Sequence, residues 1–292
     1  METKGLTITF IFEAESANYG EGIGNVTSLK KITRDGGRSY SYISRQAIRY
    51  NIIEQMCENT TPLDLDGEVI QFHPDSNIEK NLEIDLFGYM KTKKPVKTRS
   101  AVVRLSNAIA LESFNADLDF LTNKGLLDRY NAANDKKKDG GNIAQSEIHK
   151  SYYCYTIAID LDKVGIDIND NIEIPNEEKA KRINKLLDTI KFLYRDIKGR
   201  RENLSPIFAI GGVYNIKNPF FENRVQCFNN KIKVEVIESV LSLDDDVKNN
   251  TYVGLIKGTF NNEDEIESKL HAVDMNKFFK SIKEKVNDYY QE

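Results

Sequence analysis

Apolar and polar positions alternate at the start of the chain. In "GLTITFIFEA", Leu6, Ile8, Phe10 and Phe12 recur at period two, the pattern of a half-buried strand. The period then changes: "SYISRQAIRYNIIEQMC" sets Ile43, Ala47, Tyr50 and Ile53 along one stripe, which predicts a helix that Ser39 or Ser41 can cap. "EIDLFGYMK" and "VKTRSAVVRLS" flank the polar, proline-containing "TKKP" and predict a hairpin. "SYYCYTIAID", rich in aromatic and β-branched residues, predicts a further strand. The clearest helix is "NEEKAKRINKLLDTIKFLYRDIKG". Asn176 caps it, Ile183, Leu186, Leu187, Ile190 and Tyr194 form its buried face, and Gly199 stops it. "SPIFAIGGVY" returns as a strand.

This order of strand, helix, two or more strands, helix and strand predicts an α+β fold of the ferredoxin-like βαββαβ kind, the scaffold of the RNA-recognition (RRM-like) domain. One domain over residues 1–292 is expected, with polar insertions near 58–83 and 113–148. Within the second, "NAANDKKKDGGNIAQ" reads as a mobile loop. No internal repeat or linker divides the chain.

Composition narrows the function classes. With 40% apolar and 29% charged residues, the chain reads as a soluble globular protein. It shows neither a leader pattern nor 18 uninterrupted apolar residues, so secretion and membrane spanning are not expected. Cys57, Cys154 and Cys227 are odd in number and far apart, which argues against a disulfide framework or a thiolate metal site. A cytoplasmic location fits best.

The net charge of -4 hides a strong local imbalance. Between Leu86 and Leu111 there is no acidic residue, yet Lys91, Lys93, Lys94, Lys97, Arg99 and Arg104 fall there. A second basic stretch, "NYGEGIGNVTSLKKITRDGGRSYSYISRQAIRY", combines glycines with Lys30, Lys31, Arg34 and Arg38 before a helix carrying Arg45 and Arg49. Those two arginines lie one turn apart on one stripe, where like charges destabilise a helix by about 0.2–0.5 kcal/mol unless an anion lies between them. The helix dipole favours an anion at the same place. A carboxylate elsewhere in the fold is one candidate and a nucleic-acid backbone the other. In the basic hairpin, alternation puts Lys97 and Arg99 on one strand face, where they could line a groove together.

Catalytic and cofactor patterns are weak. "GEGIG" lacks the G-K-[ST] of a phosphate loop and reads as a flexible basic loop. His73, His149 and His271 have no ligand partner at metal spacing. Asp64/Asp66 and Asp160/Asp162 could hold Mg²⁺ beside a phosphate, but they flank Gly67 and Gly165, where aspartate more often makes a turn. No Ser/His/Asp or Cys/His set stands out. Neither a catalytic residue, nor a metal, nor a cofactor is expected.

Four long segments carry a resemblance. They are "NYGEGIGNVTSLKKITRDGGRSYSYISRQAIRY", "DLFGYMKTKKPVKTRSAVVRLSNAIALESF", "SEIHKSYYCYTIAIDLDKVGID" and "LYRDIKGRRENLSPIFAIGGVYNIKNPFFENRV". Together they resemble the DevR-type backbone subunit of type I-B CRISPR Cascade, the Cas-seven family; the tail after about residue 240 is not distinctive. The resemblance implies a modified RNA-recognition domain whose copies line up head to tail along a CRISPR RNA. That filament holds the guide for pairing with a target DNA strand in antiviral defence, beside a large subunit and Cas-five and Cas-six type proteins. It implies guide contacts at Asn25, Lys30, Lys31, Arg34, Arg38, Ser44, Arg45, Gln46 and Arg49; the basic hairpin, with Lys97, Arg99 and Arg104, is a second candidate contact read from its own charge and alternation. The resemblance also implies a projecting thumb, supplied by the basic hairpin or by the 113–148 insertion. Two alternatives stay open. Related type III backbones cut RNA with a loop aspartate, and Asp35 occupies a comparable place; a DNA- or RNA-binding regulator would use a similar basic groove.

Overall fold

Strand β1 (Gly5–Ala14) runs through the centre of the molecule, with β13 (Ser151–Asp160) and β18 (Phe208–Tyr214) antiparallel on its two sides. The structure, a computed structural model, describes residues 2–15, 18–20, 22, 24–57, 59–140 and 143–291. Glu21 and Ile23 of the glycine-rich loop, Glu58 at the start of the first predicted insertion, and Gly141 and Asn142 of the second lie outside the described residues. Next to β13 come β9 (Val103–Leu105) and β10 (Ala108–Ala110), then β4 (Arg38–Ile43) and β3 (Lys31–Arg34). Next to β18 come β21 (Tyr252–Leu255) and β22 (Val273–Asp274), which pair in parallel and complete a mixed nine-stranded sheet.

The expectation that β1 is half-buried is corrected. Leu6, Ile8, Phe10 and Phe12 are buried on one face, and Thr7, Thr9 and Ile11 are also buried on the other. The reason is a layer on each side of the sheet. On one face lie α1 (Arg45–Met56), α4 (Asn176–Lys191) and α8 (Met275–Gln291), which bring Ile48, Ile52, Ile183, Leu186, Phe278 and Ile282 onto the β1 stripe. On the other lie α5 (Val234–Leu241), α6 (Asp245–Asn250) and α7 (Glu263–Leu270), which bury Ile237, Val247 and Ile266 with Ile11, Phe208 and Ile210. Each such side chain contributes about 1.5–3 kcal/mol of burial. Gly212 is required by the close approach of this second layer, since a Cβ there would lie 1.8 Å from the Asn250 carbonyl oxygen.

Two predicted boundaries and one predicted buried position move. Residues 38–43 are strand, so Ser39 and Ser41 do not cap α1; Ser44 does, accepting from the Ala47 N–H at 3.3 Å. Tyr50, predicted on the buried stripe, is 62% exposed, and Ile48, Ile52, Ile53 and Met56 are buried instead. The predicted long helix ends at Lys191, and Tyr194 belongs to a hairpin of β16 (Tyr194–Ile197) and β17 (Arg200–Asn203). Gly199, at φ +77°, turns that hairpin rather than closing the helix.

The predicted 83–106 hairpin is shorter than its pattern. Residues 82–87 form α2 (Leu82–Phe87), and only β7 (Tyr89–Lys91) and β8 (Lys97–Arg99) pair. Asp85 in α2 is fully buried between two guanidiniums, Arg99 at 2.9 Å and Arg182 at 2.8 Å, and also accepts the Gly165 N–H. This triad ties α2, β8 and α4 to the loop before β14 (Ile166–Asp167) and β15 (Ile172–Glu173). Residues 59–81 carry the β5 (Leu63–Asp66) and β6 (Val69–Phe72) hairpin, whose Asp64 pairs with Lys93 at 2.5 Å. Asp66 accepts the Thr92 hydroxyl, Asp160 pairs with Arg104 and Lys163, and Asp162 pairs with Lys217, so both aspartate pairs are engaged by groups of this chain.

An arm leaves the sheet between β10 and β13. It consists of β11 (Asp117–Thr122), α3 (Lys124–Ala133) and β12 (Ile143–Ile148), with β12 pairing in parallel with β2 (Val26–Thr27). No residue of α3 is buried, and every residue of β11 is exposed. At the arm's base His149 is buried, shares a 2.7 Å hydrogen bond with Ser41, and takes the edge of Phe114. Burial holds the His149 imidazole below its ordinary value. The unfolded chain therefore takes up the proton first as pH falls, so the stability tied to neutral His149 is complete above about pH 6.5 and declines below it. Thermal melts between roughly pH 7 and 5.5 should show this loss, and His149→Asn should make it shallower.

Among the described residues, no helix is long and apolar enough to cross a membrane.

Candidate nucleic-acid interface

The start of α1 is fixed from three directions. The Ser44 side chain caps it, the Ser44 N–H donates to Asn18 Oδ1 at 2.5 Å, and the Arg45 N–H donates to Asn107 Oδ1 at 2.9 Å. The two asparagines hold the helix start against the β1–β2 loop and the β9–β10 turn. Arg45, the first helical residue, is thereby presented at a defined position with its side chain exposed.

Two grooves meet at Arg45. One, of about 680 Å³, is lined by Arg34, Asp35, Arg38 and Tyr40 of the β3–β4 hairpin, by Ser106 and Asn107, by Thr156, and across from them by Glu222, Asn223, Gln226, Phe228 and Lys233. The other, of about 490 Å³, is lined by Arg45, Gln46 and Arg49 of α1 with Phe87, Ala101, Val103 and Arg104. Arg45 and Leu105 line both, so the two form one trough running along the first turns of α1. Its charged lining is six basic side chains, Arg34, Arg38, Arg45, Arg49, Arg104 and Lys233, against the carboxylates of Asp35 and Glu222. With the positive end of the helix dipole at Arg45, the trough has an excess of positive potential suited to a polyanion.

The arginines differ in how firmly they are held. Arg38 and Arg45 are exposed and form no ion pair among the described residues. Arg34 stacks on the Tyr40 ring at 4.3 Å and donates to the Ala110 carbonyl at 3.3 Å, with Asp35 3.9 Å away. Arg49 lies over the Phe87 ring at 4.9 Å and 3.9 Å from Glu83. Arg104 is half-exposed beside Asp160. Each lines the trough, and a planar fork with five N–H donors can serve two partners.

Of the predicted contacts, Arg34, Arg38, Arg45, Gln46, Arg49 and Arg104 therefore converge on the trough. Asn25 and Lys30 are exposed but line neither groove. Four others have side chains that the fold itself engages. Lys31 donates to both carboxylate oxygens of Glu147 at 2.8 and 2.7 Å and sits over Phe114, fastening β3 to the arm. Ser44 is the helix cap. Lys97 and Arg99 share a strand face as expected, but it packs on the 163–170 segment: Lys97 pairs with Asp170, and Arg99 donates to Asp85 and to the carbonyls of Lys163 and Ile166. The groove wall formed by 222–233 was missed. Its only local signal is an amide-rich, basic run, "ENRVQCFNNKIK", that has no helical or strand period.

Asp35, at φ +52°, accepts the Tyr40 hydroxyl at 2.7 Å, a bond that raises the Tyr40 pKa. Cys154 and Cys227 border the trough, but burial pushes the Cys154 thiol up to about 12 and the Cys227 thiol up to about 11, so neither is a thiolate at neutral pH. Among the described residues, no three His, Cys, Asp or Glu side chains gather into a metal-binding group.

A sequence profile of the family described as CRISPR-associated negative auto-regulator DevR/Csa2 matches residues 6–236. No curated protein matches the chain. Among solved structures, it is similar to a chain of a "CRISPR RNA-guided surveillance complex, pre-nicking", at TM-score 0.58 and 10% identity over 88% of this chain and 94% of that one. It is likewise similar to a chain of a "CRISPR RNA-guided surveillance complex", at TM-score 0.58 and 12% identity over 98% of both. At these identities the likeness concerns the fold.

Proposed function

The chain belongs to the CRISPR-associated DevR/Csa2 family, and from that premise we propose that it is a backbone subunit of a Cascade-type surveillance complex, holding a CRISPR RNA by its sugar-phosphate backbone. The observation that carries this reading is the continuous basic trough along the start of α1. A subunit that must accept any guide has to grip phosphates and leave base edges free for the target DNA strand, and arginine forks on a rigid helix start do that. The contacts we assign are Arg34, Arg38, Arg45, Gln46, Arg49 and Arg104. Asn25 and Lys30 extend the path toward the arm, where the Asn25 carbonyl accepts the Gln145 N–H.

The finer assignments follow from the same reading. The spatial order β18, β1, β13, β9/β10, with α1 after β1 and α4 after β13, supports an RRM-like βαββαβ core. A single domain with excursions at 58–83 and 113–148 fits the shared sheet. The 113–148 arm, rather than the packed β7–β8 hairpin, is the natural thumb, since its strand β11 and helix α3 have no buried residue. The long segments quoted above favour the type I-B group. In this reading the subunit holds RNA without cutting it, and Asp35 shapes the β3–β4 turn through Tyr40. Copies join head to tail, because a contact between unlike surfaces propagates along the guide instead of closing as a two-fold dimer. A large subunit and Cas-five and Cas-six type proteins complete the assembly.

The test is to purify the chain from its native operon context and sequence the RNA that comes with it. Repeat-spacer RNA of uniform length, in a ladder of assemblies with a fixed number of nucleotides per subunit, is expected. A nucleic-acid-free two-fold dimer unaffected by guide RNA, or selective binding of its own promoter duplex, would overturn the proposal.

A further inference from the structure

The wall of the trough facing the arginines carries an exposed aromatic ring. Phe228 is 66% exposed, lines the groove with Arg34, Arg38 and Arg45, and makes no ring contact among the described residues. Its exposure is built in. Phe228 ends strand β19 (Cys227–Phe228), which pairs with β20 (Lys231–Ile232) across a two-residue turn. Both turn residues, Asn229 and Asn230, have positive φ (50° and 56°), the geometry of a tight hairpin that tolerates no register slip. Alternation sends Cys227 inward, where it is buried, and Phe228 outward.

The hairpin is also pinned from outside. The Asn261 N–H donates to the Asn230 carbonyl at 2.8 Å and its side chain to the Asn229 carbonyl at 3.1 Å. Asn262 accepts the Ile232 N–H at 3.1 Å and returns a bond to the Ile232 carbonyl at 2.8 Å. An apolar ring held out in water by this many fixed contacts, over a groove whose other wall is cationic, matches the two halves of a nucleotide: a π-face to stack on and a phosphate to neutralise.

Resting on the guide-RNA reading of the trough, we propose that Phe228 is a stacking platform for an RNA base whose phosphate is held by the Arg34–Arg38–Arg45 wall. Stacking is indifferent to base identity, so it adds grip without reading sequence, and Asn223, Gln226 and Lys233 beside the ring can bond the same nucleotide's sugar and phosphate.

The test compares Phe228→Leu, which keeps apolar volume but removes the π-face, and Phe228→Tyr, which keeps the face, in fluorescence-anisotropy titrations of the full chain. The probes are labelled oligouridylate and an abasic oligoribonucleotide of equal length. Phe228→Leu should weaken oligouridylate binding by roughly 5- to 150-fold, leave abasic binding and the salt slope unchanged, and be rescued by Phe228→Tyr. Equal losses on both oligomers, or no loss where the wild type binds oligouridylate, would overturn the platform alone. Failure of the wild type to bind either oligomer would overturn the trough reading and the platform with it.

Discussion

Replacing Asp85 by alanine is expected to destabilise the protein by about 3–5 kcal/mol, because it leaves the buried guanidiniums of Arg99 and Arg182 without their shared carboxylate. Asp85 is fully buried, Arg99 and Arg182 are 7% and 6% exposed, and the remaining bonds of Arg99 go to carbonyls that cannot neutralise charge, while Arg182 keeps only the more exposed Glu178 carboxylate at 3.2 Å. In a chain of this size the change should lower the melting temperature by roughly 5–8 °C. Asp85→Asn, which keeps shape and two hydrogen-bonding atoms but not the charge, should fall between alanine and wild type. A loss under about 1 kcal/mol for the alanine variant would show that both guanidiniums escape to water, a surface-pair result at odds with their burial. The same experiment bears on Arg99: a residue committed to this triad is not available to RNA.

Removing Arg38 and Arg45 together should have the opposite profile. Both side chains are exposed and form no ion pair among the described residues, so stability should stay within about 0.5 kcal/mol of wild type. Binding to single-stranded guide RNA should fall by roughly 10²- to 10⁴-fold at low salt, from two lost charge-assisted contacts. The log-log salt slope should flatten by about 1.4, or 0.7 for each phosphate released. The loss should be equal for guides of different spacer sequence, since phosphates carry no sequence information. Lys97→Ala is the matched control: a basic residue from the same predicted set, paired with Asp170, whose removal should leave the slope untouched. A double arginine variant that melts far below wild type with an unchanged slope would mean that the trough is a structural feature.

Local pattern carried much of the architecture. β1, β13, β18 and the first four turns of α4 stand where apolar spacing and aromatic and β-branched content put them, although β1 is buried on both faces rather than one. Pattern failed at ends. The apolar spacing of "FLYRDI" continues the helical pattern of α4 through Tyr194, yet the backbone there is recruited into the β16–β17 hairpin. Ser44 rather than Ser41 caps α1 because 38–43 is held as strand by β3 and by β10, the latter more than sixty positions away.

For the site, the sequence by itself determined that positive charge is concentrated before and within α1, that Arg45 and Arg49 share a helical stripe, and that no nucleophile or metal motif accompanies them. Those are properties of neighbours along the chain. Only the tertiary structure decided which cations remain for a ligand, because the carboxylates that claim them come from far off: Glu147 for Lys31, 116 residues away, and Asp170 for Lys97, 73 residues away. It also decided where the trough's second wall stands, since Phe228 and Lys233 reach the arginines through the sheet and not along the chain. Periodicity is a short-range signal, whereas charge pairing and groove closure depend on distances that exist only after folding.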